Sequence, residues 1–395
     1  MKSIVRVLAL VSLMSPAALA ADEAAITELQ QRMQSEGTSN LLFLNDADRR
    51  VAFAHMDRFA PSRALPASGT PYPLATELDA SLMGVTYSVD GQNFTVESLL
   101  GQEPLMGMAV LQGDTIRLEH YAPDHTPEST WVSFSVTKSF TSTLIGAALK
   151  DGYITSLDDT VETYLPRLRG TDYGSVKVRH ILQMASGIAW NENYEDPESD
   201  VAQAGAHQGV ALTDYISKLK RAHPAGEVFN YNTAESNLAG EILRAAIGNN
   251  AATYMNDKIW QAFGMEHDAT WLLAAPNGQE TGGCCISASL RDYARMGLVA
   301  KKGGMLPSGE SILPEGWMDM ATTPSKGFDG YGYKWWLLQD GAYTASGIFG
   351  QMIFIDPKRD LVIAVHSNAP AAVGTDYHKH YRAAAAAIVG HFAAR

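Results

Sequence analysis

WVSFSVTKSFTSTLIGAALK (residues 131–150) is a run of small, apolar and hydroxylic side chains that carries one charge before its final lysine. Between Glu128 and Lys150 the only ionisable group is Lys138. The composition predicts a buried helix, ending near Gly152, where glycine suits a left-handed cap. An ammonium group in such a helix needs a reason. Ser135 and Lys138 are three residues apart, so a helix puts hydroxyl and amine on one face. If Ser135 opens the helix, its backbone N–H points outward and the local dipole is positive. Burial and dipole both disfavour the ammonium, leaving an amine able to take the proton of Ser135. The alternative is a lysine that snorkels to water or pairs with a distant carboxylate. The spacing also occurs at Ser217 and Lys220, but charged neighbours mark that match as a surface coincidence.

Working outward, the chain has strands on both sides of a helical middle. MGMAVLQGDTIRLEHYA (106–122) alternates around a turn and reads as a β-hairpin. Helical patterns dominate from 157 to about 300, among them SLDDTVETYLPRL, VRHILQMA, LTDYISKLKRA, AESNLAGEILRAAIG and SLRDYARMGLVAKKG. Strand character returns at YGYKWWLL (331–338), AYTAS (342–346), QMIFID (351–356) and LVIAVHS (361–367), and 376–393 forms a closing helix. This order predicts an α/β protein of the α+β type. A mainly antiparallel sheet is built from both chain ends, flanked by helices, with a helical lobe inserted. The expected boundaries are an α/β lobe over 81–156 and 301–395, a helical lobe over 157–300, and an extension over 21–80. That extension opens on a helix over 22–36 closed by Gly37.

MKSIVRVLALVSLMSPAALA (1–20) has Lys2 and Arg6, a short apolar run and Ala18-Leu19-Ala20, the order of a secretory leader cut near Ala20. The apolar run is shorter than the roughly 20 residues of a membrane span. The expectation is a periplasmic or secreted protein without a span. The formal net charge is −13, and removing Lys2 and Arg6 makes it −15, which disfavours nucleic acid. With 46% hydrophobic and 18% charged residues, the chain is globular rather than disordered. Cys284 and Cys285 are adjacent; two buried thiols are favoured over a vicinal disulfide. No zinc-type spacing occurs, and His378 and His380 read as a solvated helix face, so no metal or cofactor is expected. Oligomeric state is left open.

Two further segments carry chemistry. In PAGEVFNYNTAESN (224–237), Tyr231 sits in the loop entering a helix and can relay a proton, or simply pack. In YTASGIFGQMIFID (343–356), Gly347 and Gly350 would let a ligand approach the strand closely. The N–H groups of Ile348 and Ser135 could then hold an oxyanion; an edge strand with a glycine bulge is the alternative. No G-x-S-x-G elbow is present.

Together, FSVTKSFTSTLIGAALKDGYI, SLDDTVETYLPRL, HILQMASGI and PAGEVFNYN resemble the serine β-lactamase and penicillin-recognising family over roughly 80–395. The resemblance is to its class C-like branch, with esterases and 6-aminohexanoate-dimer (nylon-oligomer) hydrolases. It implies a β-lactamase/transpeptidase-like fold, Ser135 as acylated nucleophile, Lys138 as proton acceptor, Tyr231 as relay, and no metal. Two positions depart from the family pattern. Ala345-Ser346-Gly347 stands where Lys-Thr-Gly is common, removing a cation for a substrate carboxylate. Tyr231-Asn232-Thr233 stands where Tyr-x-Asn is common. These departures and NYEDPESD (193–200) look more like the nylon-oligomer group, which places Tyr194 near substrate; a structural Tyr194 is the alternative. The resemblance thus implies a serine hydrolase of small esters or amides, with Ser346 and Gly347 also at the substrate. A β-lactamase or D,D-peptidase, and a non-catalytic periplasmic binding module, are the other readings.

Overall fold

The computed structural model describes residues 16–37, 41–372 and 376–394. Most of the expected leader therefore lies outside the described residues, and Pro16–Glu36 forms one helix.

The main sheet has seven strands, in the order 336–337, 343–346, 352–356, 361–367, 105–112, 115–121 and 75–76. All neighbours are antiparallel except the short Ala75–Thr76, which runs parallel to Thr115–Tyr121. Both chain ends supply the sheet, as the strand–helix–strand order predicts. Leu361–Ser367 pairs with Leu105–Gln112 and is buried throughout, so it reads as a continuous apolar run rather than an alternation. Period-two geometry then sorts the side chains. Ala109, Leu111, Ile353, Ile355, Val362 and Ala364 face the large core against the central helices. Met108, Val110, Phe354, Ile363 and Val365 face the closing helix Tyr377–Ala393 through Tyr381, Ala384, Ala385 and Ile388. On the first face, helix Leu290–Lys301 approaches so closely that a Cβ on Gly297 would come within 2.5 Å of Val362.

A second, four-stranded sheet has the order 62–65, 269–272, 286–289 and 130–132. It departs from the sequence expectation, since two of its strands fall within the stretch 157–300 that shows mainly helical patterns. Ala269–Leu272 and Ile286–Ser289 are four residues each, and Ile-Ser-Ala-Ser offers too few β-branched or aromatic side chains to signal a strand. YGYKWWLL is likewise mostly not strand. Only Trp336–Leu337 forms a strand, with an isolated bridge from Tyr331 to Trp336, and Lys334 between them takes a left-handed φ of 63°.

Two buried histidines link the sheets. His125 Nε2 and His366 Nδ1 are 2.9 Å apart, beside Trp131 and Tyr293. Burial holds His125 down to about 4 and His366 well below its ordinary value. The unfolded chain binds these protons near pH 6.5 while the folded chain does not. Stability is therefore complete above pH 6.5 and falls as the pH drops from there towards 4. We expect a loss on the order of 2–3 kcal/mol over that window from His125 alone. Chemical denaturation at pH 7 and pH 4.5 checks this; His125→Phe should reduce the difference, leaving the part due to His366.

Candidate active site

Thr130–Val132 ends against Ile286–Ser289, and the chain turns through Ser133 and Phe134 into helix Val136–Lys150. The turn is pinned from the second sheet: Ile286 N–H donates to both Ser133 Oγ and Thr137 Oγ1 at 2.9 Å. Phe134 takes a positive φ of 44°, which throws Ser135 to the helix start with φ −69° and ψ −6°. The Ser135 side chain makes no capping bond, so its hydroxyl is available for other partners.

The helix is buried from Val136 to Ala148. Its polar side chains are mostly satisfied inside the protein: Thr141 Oγ1 donates to Gly282 O (2.7 Å), and Ser139 Oγ to Lys334 O (2.6 Å). Gly146 makes room for the Trp317 indole, which would lie 2.5 Å from a Cβ.

Lys138 is 2% exposed. Its Nζ lies 3.0 Å from Ser135 Oγ and donates to Gly283 O at 2.7 Å. Burial pushes its pKa down to about 8, against the opposing pull of the Glu192 carboxylate. The other spacing match behaves differently. Lys220 is exposed, and Ser217 Oγ donates to Asp214 O at 3.0 Å.

Tyr231 completes a cluster with these two. Its hydroxyl is near enough to Ser135 to feel that side chain, and its ring centroid is 5.6 Å from Lys138 Nζ. Burial raises its phenol pKa, so it is a proton donor at neutral pH. The loop is fixed on both sides. Asn230 N–H donates to Met184 O (2.9 Å), and Asn232 Oδ1 caps helix Thr233–Ile247 by accepting from Glu235 N–H (3.1 Å). The Tyr231 ring stacks on Trp336 at 5.6 Å and 12°.

Beyond strand Tyr343–Ser346, the turn is closed by Gly347 N–H to Gln351 O (2.8 Å) and Phe349 N–H to Gln351 Oε1 (3.2 Å). Among the described residues nothing accepts from the N–H of Ile348 or of Ser135. His378, expected on a solvated face, is instead partly buried, and its Nε2 lies 3.3 Å from Ile348 O.

A cavity of about 780 Å³ opens onto Ser135 and Lys138. Tyr194, Thr233 and Ile348 line it; Ser346 and Gly347 do not. Gly347 and Gly350 have close neighbours within the protein. A Cβ at Gly347 would strike Gln351 Oε1 (2.5 Å) and Ser133 O (2.6 Å), and one at Gly350 would strike Ser367 Oγ (2.5 Å). Both glycines are packed closely against the protein itself. Cys284 and Cys285 sit side by side in the cavity wall.

Glu192, with no sequence signal to single it out, organises one side of the site. It accepts from Tyr194 OH (2.7 Å), Thr233 N–H (3.0 Å), Thr233 Oγ1 and Trp190 Nε1. Its acidic stretch, NENYEDPESD, gives no periodic cue that one carboxylate turns inward. Lys334 was also missed. It is 2% exposed, and among the described residues its Nζ has no hydrogen-bond partner. Burial pushes Lys334 down to about 7, and burial raises the nearby Glu235 to about 7. A lysine isolated among aromatics, YGYKWW, was the available signal. Lys334 is not among the residues lining the cavity.

A hydroxyl and a desolvated amine one helical turn apart, with a tyrosine beside them, form a serine-hydrolase type of site on a mixed α/β fold. The chain belongs to the Beta-lactamase family, whose description matches residues 95–388. It is 26% identical over 348 residues to a 6-aminohexanoate-dimer hydrolase of Paenarthrobacter ureafaciens, covering 81% of this chain and 86% of that one. In fold it resembles a Bacillus anthracis protein assigned as a 6-aminohexanoate-dimer hydrolase, with TM-score 0.77 and 22% identity. That match covers 89% of this chain and 96% of the other. A family VIII carboxylesterase also shares the fold, with TM-score 0.57 and 17% identity over 73% of this chain and 93% of its own.

Proposed function

We propose that the protein hydrolyses small esters or linear amides through an acyl-enzyme on Ser135. The observation that carries this is the 3.0 Å contact between a buried amine and the Ser135 hydroxyl. Neutral Lys138 takes the Ser135 proton as Oγ forms a bond to the substrate carbonyl carbon. The oxyanion develops between the N–H groups of Ser135 and Ile348. The proton then passes from Lys138 through the Tyr231 hydroxyl to the leaving oxygen or nitrogen as its bond to carbon breaks. Water attacks the acyl-enzyme, giving its proton to the amine, and Ser135 Oγ leaves as the alcohol.

Linear substrates are favoured over β-lactams and D-alanyl peptides. Among the described residues Lys138 is the only basic one lining the cavity, and it is held by Ser135 and Gly283. A substrate carboxylate therefore has no dedicated cation. Lys2, Arg6 and Ala18-Leu19-Ala20 support export, so we place the reaction outside the cytoplasm.

Intact-mass measurement across a panel of p-nitrophenyl esters, linear amides and nitrocefin tests this. The expected result is an ester-derived adduct on Ser135 and ester turnover well above that of nitrocefin. Comparable nitrocefin turnover would move the assignment to β-lactams.

A further inference from the structure

One wall of the cavity comes from residues that precede the family-matched range 95–388. Leu41 and Leu42 lie in a 3-10 turn, and with Met56 and Ala60 they face the space in front of Ser135. The same segment grips the loops that present the two free N–H groups. Phe53 is fully buried and meets Phe134 and Phe349 edge-on, each at 5.0 Å between centroids. Those two rings flank Ser135 and Ile348 in sequence. Arg49, on the same helix, holds its guanidinium 5.5 Å from the Phe349 ring and donates through Nε to Asn368 Oδ1 (3.2 Å).

We propose that the segment 41–60 is the specificity wall of the site, and that it selects an uncharged, apolar acyl chain. This rests on the acyl-enzyme assignment above. Tyr231, which protonates the leaving group there, is not among the cavity-lining residues, whereas Phe134 and Ile348 are. The cavity therefore receives the acyl half of the substrate. Leu41, Leu42, Met56 and Ala60 offer it no hydrogen bonds from their side chains, so an ion placed against them loses its hydration without replacement. Glu195 is the one acid among the lining residues, and it is exposed at the rim.

The test uses p-nitrophenyl acetate, hexanoate, adipate and 6-aminohexanoate, which share a leaving group. Each methylene buried should raise kcat/KM by up to about fourfold. We expect hexanoate to exceed acetate by at least roughly tenfold, and to exceed both charged esters by at least roughly tenfold. Leu42→Asp should lower the hexanoate-to-acetate ratio by roughly tenfold, and Leu42→Trp should shift preference towards acetate by filling the space. Fluorophosphonate labelling of Ser135 is measured in parallel. A flat chain-length profile in the wild type overturns the proposal while labelling leaves the serine mechanism standing. So does a strong preference for a charged acyl group, or a ratio unmoved in both variants. Absence of wild-type labelling overturns the serine mechanism, and this proposal with it.

Discussion

Ser135→Ala should abolish the acyl adduct in intact-mass spectra and reduce ester turnover by about 10⁴-fold or more. The size follows from what the hydroxyl does. Without Oγ no covalent intermediate forms, and the remaining N–H groups and cavity can only position water against the substrate. The fold should tolerate the change. Ser135 makes no capping bond, and the turn is held by Ser133, Thr137 and Ile286 instead. A stability change below about 1 kcal/mol is expected, as one hydrogen bond from Lys138 is lost. An adduct persisting in Ser135→Ala would place the nucleophile elsewhere.

Lys138→Met should lower acylation by about 10³-fold, within the range for removing a positioned general base. Methionine roughly matches the length of the stem but cannot accept a proton. Stability responds in two opposing ways. Removing a desolvated amine is favourable, whereas Gly283 O and Ser135 Oγ lose a donor. The net change should stay within about 2 kcal/mol, so activity and folding separate cleanly. Lys138→Arg is a useful companion, because it keeps a cation that does not deprotonate in this range. Single-turnover acylation in both variants, alongside their unfolding midpoints, checks this; full acylation in either variant removes Lys138 as the base.

Much of this site was legible because of one local contradiction in the sequence. A lone charge in a buried helix is costly, and the hydroxyl one turn before it gives the cost a purpose. The sheet was legible too, since LVIAVHS and the 106–122 hairpin are long and strongly patterned. What escaped the sequence depends on contacts between distant segments. Glu192 matters because Tyr194 and Thr233 converge on it from two different segments. His378 touches Ile348 only once the closing helix has docked. Gly347 and Gly350 announced close approach correctly, but a sequence does not say whether the visitor is a ligand or the chain's own Ser133 and Ser367. The short strands 269–272 and 286–289 have no pattern of their own. They exist because neighbouring strands supply the pairing.

In the proposed mechanism, burial makes Lys138 a base at physiological pH. The direct measurement is the single-turnover acylation rate with p-nitrophenyl acetate between pH 6 and 10. With an amine pKa lowered to about 8, the rate should rise with unit slope below that value and level off above it. The Tyr231 phenol, raised by burial, stays protonated throughout and causes no alkaline fall. A rate independent of pH, or one whose midpoint sits near the ordinary lysine value of about 10.4, would contradict the mechanism.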